Sequence, residues 1–129
     1  MKFPKPVHKK KKKVRKVKKG TLKRKADKIF SQFIRSLDHC EKCGSYKNLQ
    51  TSHVYSRRYI NLRYDVKNVL CLCAKCHFEW HQSPLEAMMW FNQAYPERVK
   101  YLVNKKKIIK KWTLKDYLQA IEVVKNYIR

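Results

Sequence analysis

Side chains able to bind a metal or move a proton are concentrated between Cys40 and His81. This stretch holds Cys40 and Cys43, Cys73 and Cys76, an isolated His53, Asn68, and the closing pair His77 and His81. Zinc is held by four thiolates in a tetrahedron, and two intervening residues let both sulfurs of a pair meet one ion. Gly44 follows the second thiolate, where a tight turn needs its backbone freedom. Twenty-nine residues separate Cys43 from Cys73, room for a hairpin between the two knuckles. Cys40, Cys43, Cys73 and Cys76 are therefore expected to close a structural Zn2+ site. Cys71 is left over and is expected as a buried thiol beneath that site, on the strand face of Cys73.

The histidines suggest a second, open site. His77 and His81 are one helical turn apart, so both imidazoles project from one face and suit a divalent metal. Phosphodiester hydrolysis needs a cation to polarise the phosphate and a base to take a proton from water. Neutral histidine serves as that base near pH 7. His53 arrives from an earlier strand, and Asn68 from its partner strand. Taken singly, each residue has a plainer reading. His53 would be a packing residue, Asn68 a turn residue, His77 a spare zinc ligand, and His81 a surface or helix-end residue. Their joint occurrence between two thiolate pairs favours the catalytic reading.

Arg57 and Arg58 follow His53 by four and five residues and could clamp a phosphate. Generic backbone binding by a solvated loop is the alternative. Tyr55, Tyr59 and Tyr64 interleave with Arg57, Arg58 and Arg63, and read either as base-stacking platforms or as core tyrosines.

Composition narrows the partner. The chain has 129 residues and a formal net charge of +24, a field that attracts polyanions. Nucleic acid is the leading partner, and a membrane surface the competing one. No run of about 18 apolar residues is present, so no membrane span is expected. The basic start lacks the apolar core of a secretory signal, which points to a reducing cytosol, or to a host cytoplasm for a phage-encoded protein. In that compartment five cysteines read as ligands rather than disulfides.

Several elements must position these groups. Residues 1–25 hold 14 of the 33 Lys and Arg and none of the nine Asp and Glu. Self-repulsion predicts a disordered or extended arm, with Lys9, Lys10, Lys11, Lys12 and Lys13 contacting phosphates. A core over residues 26–95 follows. Its elements are a helix over about Lys25 to Leu37, a strand over Leu49 to Tyr55, a basic loop over Ser56 to Lys67, a strand over Asn68 to Leu72, and a helix over Ala74 to His81. Ser83 to Glu86 reads as a capping box for a helix over Pro84 to Tyr95. Residues 96–129 read as a basic linker and an amphipathic helix over Leu114 to Ile128. That helix is expected to pack on the core or to form a homodimer surface.

The motifs CEKC, TSH, KNVLCLC and CAKCH make the chain resemble the HNH endonucleases. The resemblance covers about Lys25 to Trp90. The basic arm, the aromatic-basic loop and the size also resemble small phage recombination endonucleases of the NinG (Rap) type. The resemblance implies a small α+β fold with a ββα-metal core, flanking helices and a four-cysteine zinc site. It implies His53 as general base, Asn68 as orienting residue, and His77 and His81 as ligands of a catalytic Mg2+ or Mn2+. The implied activity is DNA endonuclease, on duplex, branched or recombination intermediates. One departure stands out. Many relatives carry Asp or His just before the base, as a metal ligand, and this chain has Ser52. That departure motivates the second reading, a zinc-stabilised nucleic-acid-binding protein without catalysis.

Overall fold

A computed structural model describes Lys2 and residues 16–127. The expected phosphate contacts at Lys9 to Lys13 lie outside the described residues. The fold is small and α+β. Helix α1 spans Lys19–Arg35, strand β1 Leu49–His53, helix α2 Ile60–Arg63, strand β2 Val69–Cys73, α3 Ala74–Gln82, α4 Pro84–Ala94, α5 Pro96–Lys106 and α6 Leu114–Tyr127. A 3-10 turn over Val66–Asn68 leads into β2.

β1 and β2 form one antiparallel pair, with Leu49 opposite Cys73, Ser52 opposite Leu70, and His53 opposite Val69. β2 reads Val-Leu-Cys-Leu-Cys and is buried along its whole length. A continuous apolar run of this kind belongs to a strand covered on both faces. Alternation sends Leu70 and Leu72 to one side, among Leu62, Trp80, Phe91 and Leu102. It sends Val69 and Cys71 to the other, among Phe30, Ile34 and Val124. Each such fully buried Leu or Phe contributes about 1.5–3 kcal/mol. Cys71 thus lies in the α1–α6 layer. The expectation that it underlies the cysteine cluster is corrected, because Cys73 turns out of the strand to start α3.

α1 begins at Lys19, so the expected arm boundary at Lys25 falls inside a helix. Leu22, Ala26, Phe30 and Ile34 recur every four residues and are buried. Leu22 and Ala26 meet Tyr117 and Ile121 of α6. Tyr117, Ile121 and Val124 of the α6 stripe thus pack on the core, as one of its two readings expects, while Leu114 and Leu118 stay exposed. The supposed basic linker is also corrected, since its first part is α5. Leu102 of α5 is buried in the main core. Arg98 on the same helix donates to the carbonyls of Lys67 (3.0 Å) and Val69 (3.0 Å).

Two caps differ. Ser83 precedes Pro84 but makes no side-chain cap bond. Thr113 does better: its N–H and Oγ1 both donate to Asp116 Oδ2, at 2.8 and 3.0 Å. No helix among the described residues is long and apolar enough to cross a membrane.

Candidate metal centre and catalytic cleft

The four paired cysteines converge as their spacing requires. Their Sγ atoms all lie within 4.8 Å of one another, positioned to hold a metal ion. Cys43 Sγ and Cys73 Sγ are 3.6 Å apart, close to the roughly 3.8 Å edge of a tetrahedron with 2.3 Å zinc–sulfur bonds. Both knuckles close alike. The Cys43 N–H points to Cys40 Sγ at 3.5 Å, and the Cys76 N–H to Cys73 Sγ at 3.4 Å. Gly44 takes φ +77°, a left-handed turn that glycine adopts without strain. Cys71 stands apart as a neutral thiol, its pKa pushed up to about 11 by burial.

Glu41 ties the first knuckle to the sheet. Its N–H donates to the Cys71 carbonyl at 2.8 Å, and its Oε2 accepts from the Cys71 N–H at 2.7 Å. The outer edge of β2 is thereby sealed. The outer edge of β1 opens into a cleft of about 510 Å³, lined from α1, from β1, from the loop after it and from α3. His53, His77, His81, Arg57, Arg63 and Asp27 are all in its wall.

His53 is held by its ring. Nε2 lies 3.0 Å from the Arg63 carbonyl. A carbonyl only accepts, so Nε2 carries the proton and Nδ1 keeps its lone pair. Burial pushes the imidazole below its usual 6.5; the bond to Arg63 opposes this, and the Arg57 charge adds to it. At neutral pH His53 is thus uncharged, the form a base needs.

His77 and His81 meet on one face of α3, with Nε2 atoms 3.1 Å apart. His77 Nδ1 donates to Gln50 Oε1 at 2.7 Å. That bond fixes the tautomer and makes His77 Nε2 the acceptor of the His81 Nε2–H. Burial, with the His81 charge beside it, lowers the His77 pKa and favours the ligating form. Sequence reasoning misses Gln50. Its signal is its place on β1, two residues before Ser52 and therefore on the face toward α3.

Other expectations need correction. Asn68 is fully buried, and its side chain makes no hydrogen bond to His53. Its Oδ1 accepts from the Tyr55 N–H at 2.8 Å, and its Nδ2 donates to the Tyr55 and Leu62 carbonyls at 3.1 and 3.0 Å. It staples the loop whose next residue, Arg63, supplies the carbonyl for His53. Arg63 itself is buried rather than free for DNA. Its Nε and Nη2 clasp Asp27 at 2.7 and 2.6 Å, and its Nη1 donates to the Arg57 carbonyl at 3.1 Å. Tyr64 OH also donates to Asp27, at 2.8 Å. A buried guanidinium at the end of α2 needs such a carboxylate, and α1 provides it. Arg57 and Arg58 are exposed, and of these Arg57 lines the cleft.

Ser52 is 1% exposed, faces the core opposite Leu70, and its Oγ has no hydrogen-bond partner. It does not line the cleft, so a weak metal contact from this hydroxyl is not part of the arrangement. No protein-family model, curated protein or solved structure matches this chain.

Proposed function

We propose that the protein is a metal-dependent DNA endonuclease that hydrolyses phosphodiester bonds, with branched or recombination intermediates as candidate substrates. One observation carries the reading: His53 from β1 and the His77–His81 pair from α3 face one cleft. The net charge of +24 supports a polyanionic substrate.

His77 and His81 would hold the divalent cation, Mg2+ or Mn2+. Two imidazoles with Nε2 atoms 3.1 Å apart suit one ion. When bound, the cation would draw charge from the phosphate and the leaving oxygen. His53 Nδ1 would take the proton from the attacking water. The Arg63 carbonyl would steady the imidazolium that results. Arg57 would offset charge on the phosphate oxygens. Zn2+ at the four cysteines would hold β2, the first knuckle and α3 together, and so fix His77 relative to His53.

Cleavage of supercoiled plasmid and of four-way junctions, with and without divalent metal, tests the reading. Cleavage that needs metal and is lost in His53→Ala is expected. Equal rates for wild type and His53→Ala would end the proposal. The buried Ser52 favours a second reading, a zinc-stabilised binding protein, because it leaves only two protein ligands at the open site. Tight binding without cleavage under any metal would select that reading.

A further inference from the structure

Where α5 ends, the chain crosses to α6 through a short connection carrying Lys-Ile-Ile-Lys-Lys. Ile108 is 61% exposed and Ile109 98%. Their lysine neighbours are Lys105, Lys106, Lys107, Lys110 and Lys111. Isolated exposed apolar residues are ordinary. A paired Ile-Ile held outward between cations is not, because nothing prevents a polar residue there.

The connection is anchored rather than loose. Asn61 Nδ2 donates to the Ile108 carbonyl at 2.6 Å, and Trp112 Nε1 donates to Asn61 Oδ1 at 3.0 Å. The Trp112 ring packs 5.1 Å from Tyr117 and 5.5 Å from Tyr64. Lys110 is tied to Asp116 at 3.1 Å. Ile109 therefore projects from a fixed base.

That base adjoins the cleft. Lys106 Nζ lies 4.8 and 5.0 Å from the rings of Tyr55 and Tyr59. Those tyrosines bracket Ser56 and Arg57 of the cleft wall. Among the described residues, Arg57, Arg58, Lys106, Lys107 and Lys111 have no carboxylate at ion-pair distance. Uncommitted cations thus run from the cleft mouth to both sides of Ile109.

We propose that Ile109 is a wedge that enters between neighbouring bases of a nucleic acid whose backbone passes the cleft. Lys106, Lys107 and Lys111 hold its phosphates on either side. Apolar side chains flanked by cations unstack base steps in this way. Unstacking costs least where pairing is already interrupted, so the ligand class is nucleic acid with a branched, nicked or single-stranded segment. An anionic lipid surface shares the charge preference. It fits less well, since it would need a wider apolar face than two isoleucines and would not use the neighbouring cleft.

The inference builds on the nuclease reading but is tested without cleavage. Full-length His53→Ala protein is mixed with a four-way junction carrying 2-aminopurine beside the branch. A severalfold rise in fluorescence is expected, retained by a further Ile109→Leu change and abolished by Ile109→Ser, while binding at low salt changes less than about threefold. An equal rise with Ile109→Ser, or no rise in any variant that binds, would overturn the wedge. So would loss of binding to phosphatidylserine vesicles in Ile109→Ser with the fluorescence rise intact. A plasmid assay with wild-type protein reports separately on the nuclease reading, so the two can fail independently.

Discussion

The Arg63 carbonyl accepts a 3.0 Å hydrogen bond from His53 Nε2, while the Arg63 guanidinium clasps Asp27 at 2.6 Å. One residue thus joins the base of the cleft to α1. The bond leaves His53 Nδ1 as the only nitrogen of the neutral ring with a free lone pair, and it fixes the ring's orientation.

His53→Ala is expected to cut the cleavage rate severely and leave DNA binding nearly unchanged. General base catalysis contributes about 10²–10⁴-fold, so the residual rate should fall by at least that range. The wild-type rate should decline on the acid side with a midpoint below 6.5, because burial lowers the His53 pKa. A midpoint above 6.5 would contradict a buried, neutral base. The measurement is cleavage rate against pH at saturating metal.

Asp27→Ala is expected to destabilise the fold by about 2–4 kcal/mol, near the lower part of the range for breaking a buried pair, because both side chains keep some exposure. Partial burial raises the Asp27 carboxyl, but the Arg63 and Tyr64 hydrogen bonds outweigh it and hold the pKa below 3.8. A carboxyl with a depressed folded pKa stabilises above its unfolded value and loses that contribution as pH falls through the folded one. The Asp27 contribution to stability should therefore be lost as pH falls below 3.8, and this part of the pH dependence should vanish in the variant. Chemical denaturation across pH measures both.

Zinc removal should unfold the protein. Structural zinc contributes on the order of 10–16 kcal/mol in small zinc peptides, comparable with the roughly 5–15 kcal/mol that holds a whole domain together. A high-affinity chelator, or Cys40→Ser, should collapse the near-ultraviolet dichroism and release one zinc per chain by metal analysis. A folded, metal-free protein would show that the four thiolates only pack.

Ser52→Ala should raise stability by about 0.5–2 kcal/mol, since an unpaired buried hydroxyl costs about 1–3 kcal/mol and its removal leaves only a small void. Divalent-metal affinity should stay the same. A weaker metal site in this variant would show that the hydroxyl turns into the cleft.

Removing residues 1–15 should flatten the salt dependence of DNA affinity, by about 0.9 in the slope of log K against log salt for each phosphate the arm neutralises. The truncation must stop there. Leu22 and Ala26 are buried against Tyr117 and Ile121, so a deletion through Lys25 would also break α1. An unchanged slope after the shorter deletion would assign the arm another task.

Spacing alone makes the cysteine cluster legible. Paired thiolates two residues apart have few other uses, and the coordination geometry of zinc is the same in any fold. The order of β1, β2 and α3 from Leu49 to Gln82 is legible for a similar reason, although the stretch expected as a loop between the strands holds the short helix α2. The apolar pattern is local: the continuous run of β2 gives way after Cys73 to buried Cys76 and Trp80, four residues apart. The pairing of His77 with His81 follows from the helical turn itself.

Tertiary structure decides what distant residues do to one another. In sequence Arg63 is one more cation of a basic loop; in the fold Asp27, on a helix far earlier in the chain, lies beside it. Asn68 reads as a partner for His53, yet its three hydrogen bonds hold Tyr55 and Leu62. α5 is hidden in a run of lysines, because its buried face is narrow and its anchor Arg98 reaches residues some thirty positions away. Charge and periodicity are properties of a segment. Burial, ion pairing and the facing of two side chains across a cleft depend on which segments meet, and only packing settles that.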